Sequence, residues 1–176
     1  SLQVRPLTVT AFTMSPNRVG PNGTSTGTVT LTCAAGPGDI VVSLASNNAL
    51  LTVPGSITIP LGAASGTFTA QAGTPSAETA VSIRATAPGG QRSATLTVKA
   101  PTVSTVVFNP ATPVGGSPTT GTLTLDFPAG AGGQAVTVAS NNPAVASPDV
   151  ASVTVAQGAT TATFGVRRMA ASSVAM

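Results

Sequence analysis

The side chains in this sequence best suited to chemistry are few: the carboxylates Asp39, Glu78, Asp126 and Asp149, and the single thiol of Cys33. There is no histidine, so neither an imidazole base nor a hydrolase triad of the usual kind can be built. One Cys without His also excludes a zinc site of the usual ligand set. Paired-carboxylate hydrolysis needs two acids held across one bond, and nothing in the sequence brings two of the four together. Asp39 follows Gly38 in a turn, where an Asx turn suits it. Asp126 is expected on the solvent face of a strand. Cys33 continues the alternating run Val29, Leu31, Cys33, which places it in the core as a small apolar residue. No cationic residue adjoins it to activate the thiol, and a lone Cys forms no intradomain disulfide. The expectation is a chain that is not an enzyme, with no catalytic, cofactor-binding or metal-binding residue and no cofactor.

The remaining motifs read as architecture. Gly115-Gly116 and Gly130-Ala131-Gly132-Gly133 are not followed by a helix, so they are not phosphate cradles. Ser46-Asn47-Asn48 and Ser140-Asn141-Asn142 are expected to be turns, because Asn bonds its own backbone there. Asn22-Gly23-Thr24 matches a glycosylation sequon, but Asn-Gly is equally a turn. Arg5, Arg18, Arg84, Arg92, Lys99, Arg167 and Arg168 give a net charge of +3. They are scattered without interleaved aromatics, whereas a nucleic-acid surface needs a dense basic stripe; no nucleic-acid partner is expected. Arg167-Arg168 reads as a solvated loop. No apolar run reaches 18 residues, so the segment contains no membrane span, and residues 1–6 are not a signal peptide.

The elements that must position these residues are strands. Charged residues make up 6% of the 176, aromatics 3%, and Gly 19 and Pro 15 punctuate the chain, which with the abundant Thr argues against helices. The apolar period is two. Val29 and Leu31 alternate with Thr, and Ile40, Val42 and Leu44 alternate with Val41, Ser43 and Ala45. The same holds for Ile57 and Ile59, for Val81, Ile83 and Ala85, and for Leu96 and Val98. Turn signals recur at 20–23, 36–39, 46–48, 54–55 and 88–90. Seven or eight short strands in about 94 residues, with this turn spacing, predict an all-β sandwich of two antiparallel sheets. Its last two strands would form a hairpin across Pro88-Gly89-Gly90.

The chain repeats itself. At an offset of 94, Ser15-Pro16 meets Asn109-Pro110, Gly27-Thr28-Val29-Thr30-Leu31 meets Gly121-Thr122-Leu123-Thr124-Leu125, and Ala45-Ser46-Asn47-Asn48 meets Ala139-Ser140-Asn141-Asn142. After a two-residue insertion at Val150-Ala151 the offset is 96, and Gly66-Thr67-Phe68 meets Ala162-Thr163-Phe164. Phe68 and Phe164 are thereby matched core positions. The expected organisation is the tail of a preceding repeat's last strand at 1–6, a complete repeat at 7–100, and a second repeat at 101–176 lacking its last two strands. The short joint Lys99-Ala100-Pro101 favours an extended rod.

The run Ser140-Asn141-Asn142-Pro143-Ala144-Val145-Ala146-Ser147, followed by residues 151–164, resembles the bacterial immunoglobulin-like (Big-type) repeats of exported and cell-surface proteins. The first copy carries a weaker version. The resemblance covers nearly the whole chain and implies tandem immunoglobulin-like β-sandwiches in an extracellular or cell-surface location. It further implies a non-catalytic stalk, fibre or adhesin spacer whose partners are neighbouring repeats or identical subunits. Related adhesin repeats bind calcium through clustered acids, and the dispersed acids here do not transfer that property. Two alternatives remain: a filament or sheath subunit assembled by strand donation, and an accessory ligand-binding module of a secreted enzyme. Without counterparts of Val81 to Val98, the second repeat is predicted to be unstable alone, with open strand edges. Either the sequence is a window on a longer array, or another chain donates strands. Residues 1–5 align with a last strand and could be such a donor, but they supply one strand where two are missing, which weighs toward the window.

Overall fold

The structure is a computed structural model that describes residues 7–113 and 117–168. The chain divides between Ala100 and Pro101 into two compact units, both all-β. Each is built of two facing β-sheets, the second unit with fewer strands among its described residues.

In the first unit, β1 (Val9–Ser15), β3 (Thr24–Leu31), β7 (Ser65–Ala72) and β5 (Leu51–Thr52) form one sheet in the order β1-β3-β7-β5. The facing sheet runs β2-β9-β8-β4-β6, from β2 (Arg18–Val19), β9 (Gly90–Val98), β8 (Thr79–Ala87), β4 (Ile40–Ser46) and β6 (Ser56–Ile59). Seven or eight strands were expected and nine form, because β2 and β5 are two-residue pieces at sheet edges without a period to read. The alternating residues meet between the sheets: Val29, Val42, Ile59, Val81, Ile83, Leu96 and Val98 are fully buried. β8 and β9 form the expected hairpin, with Ala87 opposite Gly90.

The second unit contains β10 (Val103–Asn109), β11 (Thr119–Leu125), β15 (Thr161–Arg168) and β13 (Ala146–Pro148) in the order β10-β11-β15-β13. Among the described residues, the opposite sheet is the pair β12 (Gln134–Thr137) and β14 (Ser152–Val155). The repeat extends to fine detail. β1 and β10 each carry a register irregularity at the same place, between Val9 and Ala11 and between Val103 and Thr105. The buried hydroxyls of Ser25 and Thr119 each donate to a proline carbonyl nine residues back, at 2.7 Å. Gly27 lies opposite Phe68 and Gly121 opposite Phe164. In both copies a Cβ on the glycine would run into the ring, so the missing side chain is the space the aromatic fills.

Three expectations are corrected. Cys33 is exposed: β3 ends at Leu31, the chain bends, and Ala35 takes the next inward position. Asp126 lies just past β11 instead of in it. Arg167-Arg168 is the end of β15, paired with Ser147 and Ala146 of β13, not a loop. The expectations for residues 1–6, Gly115-Gly116 and residues 169–176 lie outside the described residues.

Candidate functional site

The four carboxylates are brought to no common point, and each is engaged by its own unit. Asp39 Oδ1 accepts from the Leu61 amide at 2.9 Å. This ties the start of β4 to the end of β6 across 22 residues, where a local Asx turn was expected. Asp126 accepts from both the Thr102 amide (2.7 Å) and its hydroxyl (2.9 Å), while its own amide donates back to the Thr102 carbonyl. The entry to β10 is thereby clamped to the exit of β11. Glu78 meets Arg18 at 3.4 Å in an exposed pair, and Asp149 meets Arg167 at 2.6 Å beside Gly165. Among the described residues no three His, Cys, Asp or Glu side chains gather. No described helix is long and apolar enough to cross a membrane.

The Ser-Asn-Asn segments are turns, as their residue types predicted. In the first unit, Asn48 Oδ1 accepts from the Leu50 amide at 2.9 Å and the Ser46 hydroxyl donates to the Asn48 carbonyl at 2.8 Å. Asn47 does something the sequence did not show: its Oδ1 accepts from the Ser82 amide at 2.9 Å, and its amide donates to the Ser82 carbonyl at 3.0 Å. One asparagine thus takes both backbone groups of a residue on β8 and fixes that strand's position. In the second unit the Asn142 amide donates to the Ser140 hydroxyl at 3.1 Å, and Asn141 occupies the place of Asn47.

The concave feature that stands out is in the second unit. A groove of about 460 Å³ runs between β10 and the segment after β12, lined by Val106, Phe108, Val138, Asn141, Phe164 and Val166 among others. Its wall is apolar where a free surface would ordinarily be polar. Sequence reasoning did not show this groove, whose walls come from segments nearly 60 residues apart.

No protein-family model and no curated protein matches the chain. Among solved structures it is similar to the D0-D1 domain of intimin, at 15% identity and a TM-score of 0.43 over 95% of this chain and 93% of that one. It is similar also to the adhesin InvE of Yersinia pseudotuberculosis, at 19% and 0.43 over 89% of this chain and 50% of that one. The secreted serine protease VesC of Vibrio cholerae matches at 14% and 0.28 over 85% and 44%. The chain therefore spans half of the InvE structure. Likeness at this level assigns no activity, ligand or location.

Proposed function

We propose that the chain is a non-catalytic structural segment, a stalk, fibre or adhesin spacer, of an exported bacterial surface protein built from immunoglobulin-like repeats. Residues 7–100 and 101–176 are its repeats. The observation that carries the reading is one sandwich plan built twice in succession, down to the same strand irregularity, hydroxyl bond and glycine–phenylalanine pair. A protein that works by one site needs one copy of it, whereas a protein that works by length gains from repetition. The side chains fitted for chemistry support the same reading, because all four carboxylates hold backbone or pair with arginine. Function then resides in the series of sandwiches, and the partners are adjoining repeats or identical subunits.

The test is surface accessibility. Antibodies raised against the chain should label intact cells of its source, and external protease should remove the label. Labelling that appears only after lysis would overturn the reading.

A further inference from the structure

We propose that a pocket on the outer face of the first unit binds the carboxylate of an acidic sugar, a hexuronate residue. It lies where β4, β8 and β9 run side by side and has a volume of about 320 Å³. Its lining is Ala45, Ser46, Asn47, Ser82, Arg84 and Ser93. Strand register brings these residues together. Val81, Ile83 and Ala85 of β8 are fully buried, so Ser82 and Arg84, at the alternate positions, face outward. Arg84 stands between Ala45 of β4 and Ser93 of β9, in one row across the sheet. Ser82 stands one row along, held through its backbone by Asn47. The short side chains of Ala45, Ser82 and Ser93 leave the space, and the guanidinium of Arg84 is the one long cationic group beside it.

The groups left over at this pocket are donors. Asn47 Oδ1 is taken by the Ser82 amide at 2.9 Å, which leaves the Asn47 amino group as the free end of that side chain. Ser46 is committed to Asn48, donating to its carbonyl and accepting from its amide. No acidic residue lines the pocket. Among the described residues the Arg84 guanidinium meets no carboxylate, and the hydroxyls of Ser82 and Ser93 have no hydrogen-bond partner. The other arginines of this sheet are engaged: Arg18 pairs with Glu78, and Arg92 donates to the Val9 carbonyl. A guanidinium flanked by neutral donors is complementary to an oxyanion, which it holds through two parallel bonds. Three features select an acidic sugar among oxyanions. One cation balances the single charge of a carboxylate, whereas a phosphate dianion needs more positive charge. The two serine hydroxyls both donate and accept, which suits the ring hydroxyls beside a sugar carboxylate. Ala45 is the one apolar side chain of the lining, so the last residue of a peptide would find nowhere to bury its side chain. The site goes beyond the structural role proposed above and does not depend on it.

The test is an NMR titration of the isotope-labelled 176-residue chain with D-glucuronate, read at backbone amides, the Asn47 amino group and Arg84 Nε–H. Saturating shifts are expected at residues 46–47, 82–84 and 93, with a Kd of about 1–10 mM, in keeping with one charge-assisted two-bond contact on an open face. Arg84→Gln should weaken binding at least about tenfold, and Arg84→Lys about threefold, because an ammonium lacks the planar fork. Arg84 is exposed, so both variants should keep the fold, which unchanged shifts elsewhere in the spectrum verify. D-Glucose, which lacks the carboxylate, should leave the spectrum unchanged. Absence of saturable shifts below about 100 mM glucuronate would overturn the proposal, as would Arg84→Gln binding like the parent chain or glucose binding like glucuronate. Acetate binding as tightly as glucuronate would also overturn it, reducing the site to one for any carboxylate. Tighter binding of inorganic phosphate would overturn it too, and would assign the pocket to phosphate.

Discussion

Gly27→Ala tests whether the glycine–phenylalanine pair is a packing device. The residue sits mid-strand in β3 with Phe68 of β7 directly opposite. Alanine alone favours a strand over glycine by about 0.5–1 kcal/mol, through reduced freedom of the unfolded chain. The added methyl, however, lands on the Phe68 ring. Phe68 cannot swing away, because it is buried between the sheets and packs on Phe12 at a centroid distance of 5.9 Å. Overpacking of this kind costs about 1–3 kcal/mol, so the net loss should be about 1–2 kcal/mol. In a domain of this size that is a fall of roughly 4–16 °C in Tm. Phe68→Ala alone should cost about 3–5 kcal/mol. With the ring gone, Gly27→Ala should change sign and stabilise by about 0.5–1 kcal/mol. The double-mutant cycle then yields a coupling of about 1.5–3 kcal/mol. Urea denaturation followed by far-ultraviolet circular dichroism measures all four proteins. A neutral Gly27→Ala, or a coupling near zero, would refute the argument.

Further outcomes follow from the same geometry. Leu96→Ala, at a fully buried position of β9, should cost about 2–5 kcal/mol, shifting the urea midpoint of the first unit. Cys33 should react with a water-soluble thiol reagent in the folded protein at close to the rate of a denatured control; protection until unfolding would contradict its placement outside the core. Glu78→Gln should change stability by less than about 1 kcal/mol, because the pair with Arg18 is exposed, and added salt should shrink even that difference. Asp126→Ala should speed amide exchange at Thr102 about tenfold through loss of the acceptor held at 2.7 Å, which residue-resolved exchange by NMR would detect.

Period-two patterning carried the fold into the sequence. Val42, Leu44, Val81, Ile83, Leu96 and Val98 are buried where alternation places them, because a pleated strand in a two-layer sandwich has one dry face and no other freedom. The failures occur where alternation runs past the end of a strand. Cys33 continues the parity of Val29 and Leu31, but the ladder stops at Leu31, and parity has no meaning beyond the last paired residue. Arg167 errs in the opposite direction: two adjacent charges read as loop, yet β13 pairs with them in the register. The roles of Asp39 and Asp126 were illegible for a different reason. Each holds an amide 22 or 24 residues away, and single-residue spacing carries no information about contacts closed by the fold. Asn47 is the instructive case. Its turn was legible from local chemistry, while its grip on Ser82, 35 residues distant, was not.

The two units also separate what a segment's own residues determine from what its neighbours determine. β4 and the stretch 134–140 have related sequences, with Ala45-Ser46-Asn47 repeated as Ala139-Ser140-Asn141. One is a seven-residue strand and the other a four-residue strand. The shared part is the part that pairs with β6 in one copy and β14 in the other. The lost part is the part that pairs with β8 in the first copy. A hydrogen-bonded ladder is a property of two segments together, so related residues hold strand geometry only as far as their partner extends. The same logic governs the side chains. Leu31 and Leu125 are equally buried, as are Ile59 and Val155, because their neighbours are present in both copies. Met14 lies beneath β8 and β9 in the first unit, whereas Phe108 is 42% exposed in the second. The larger, more apolar residue is the more exposed of the two, the reverse of what solvation of an isolated unit favours.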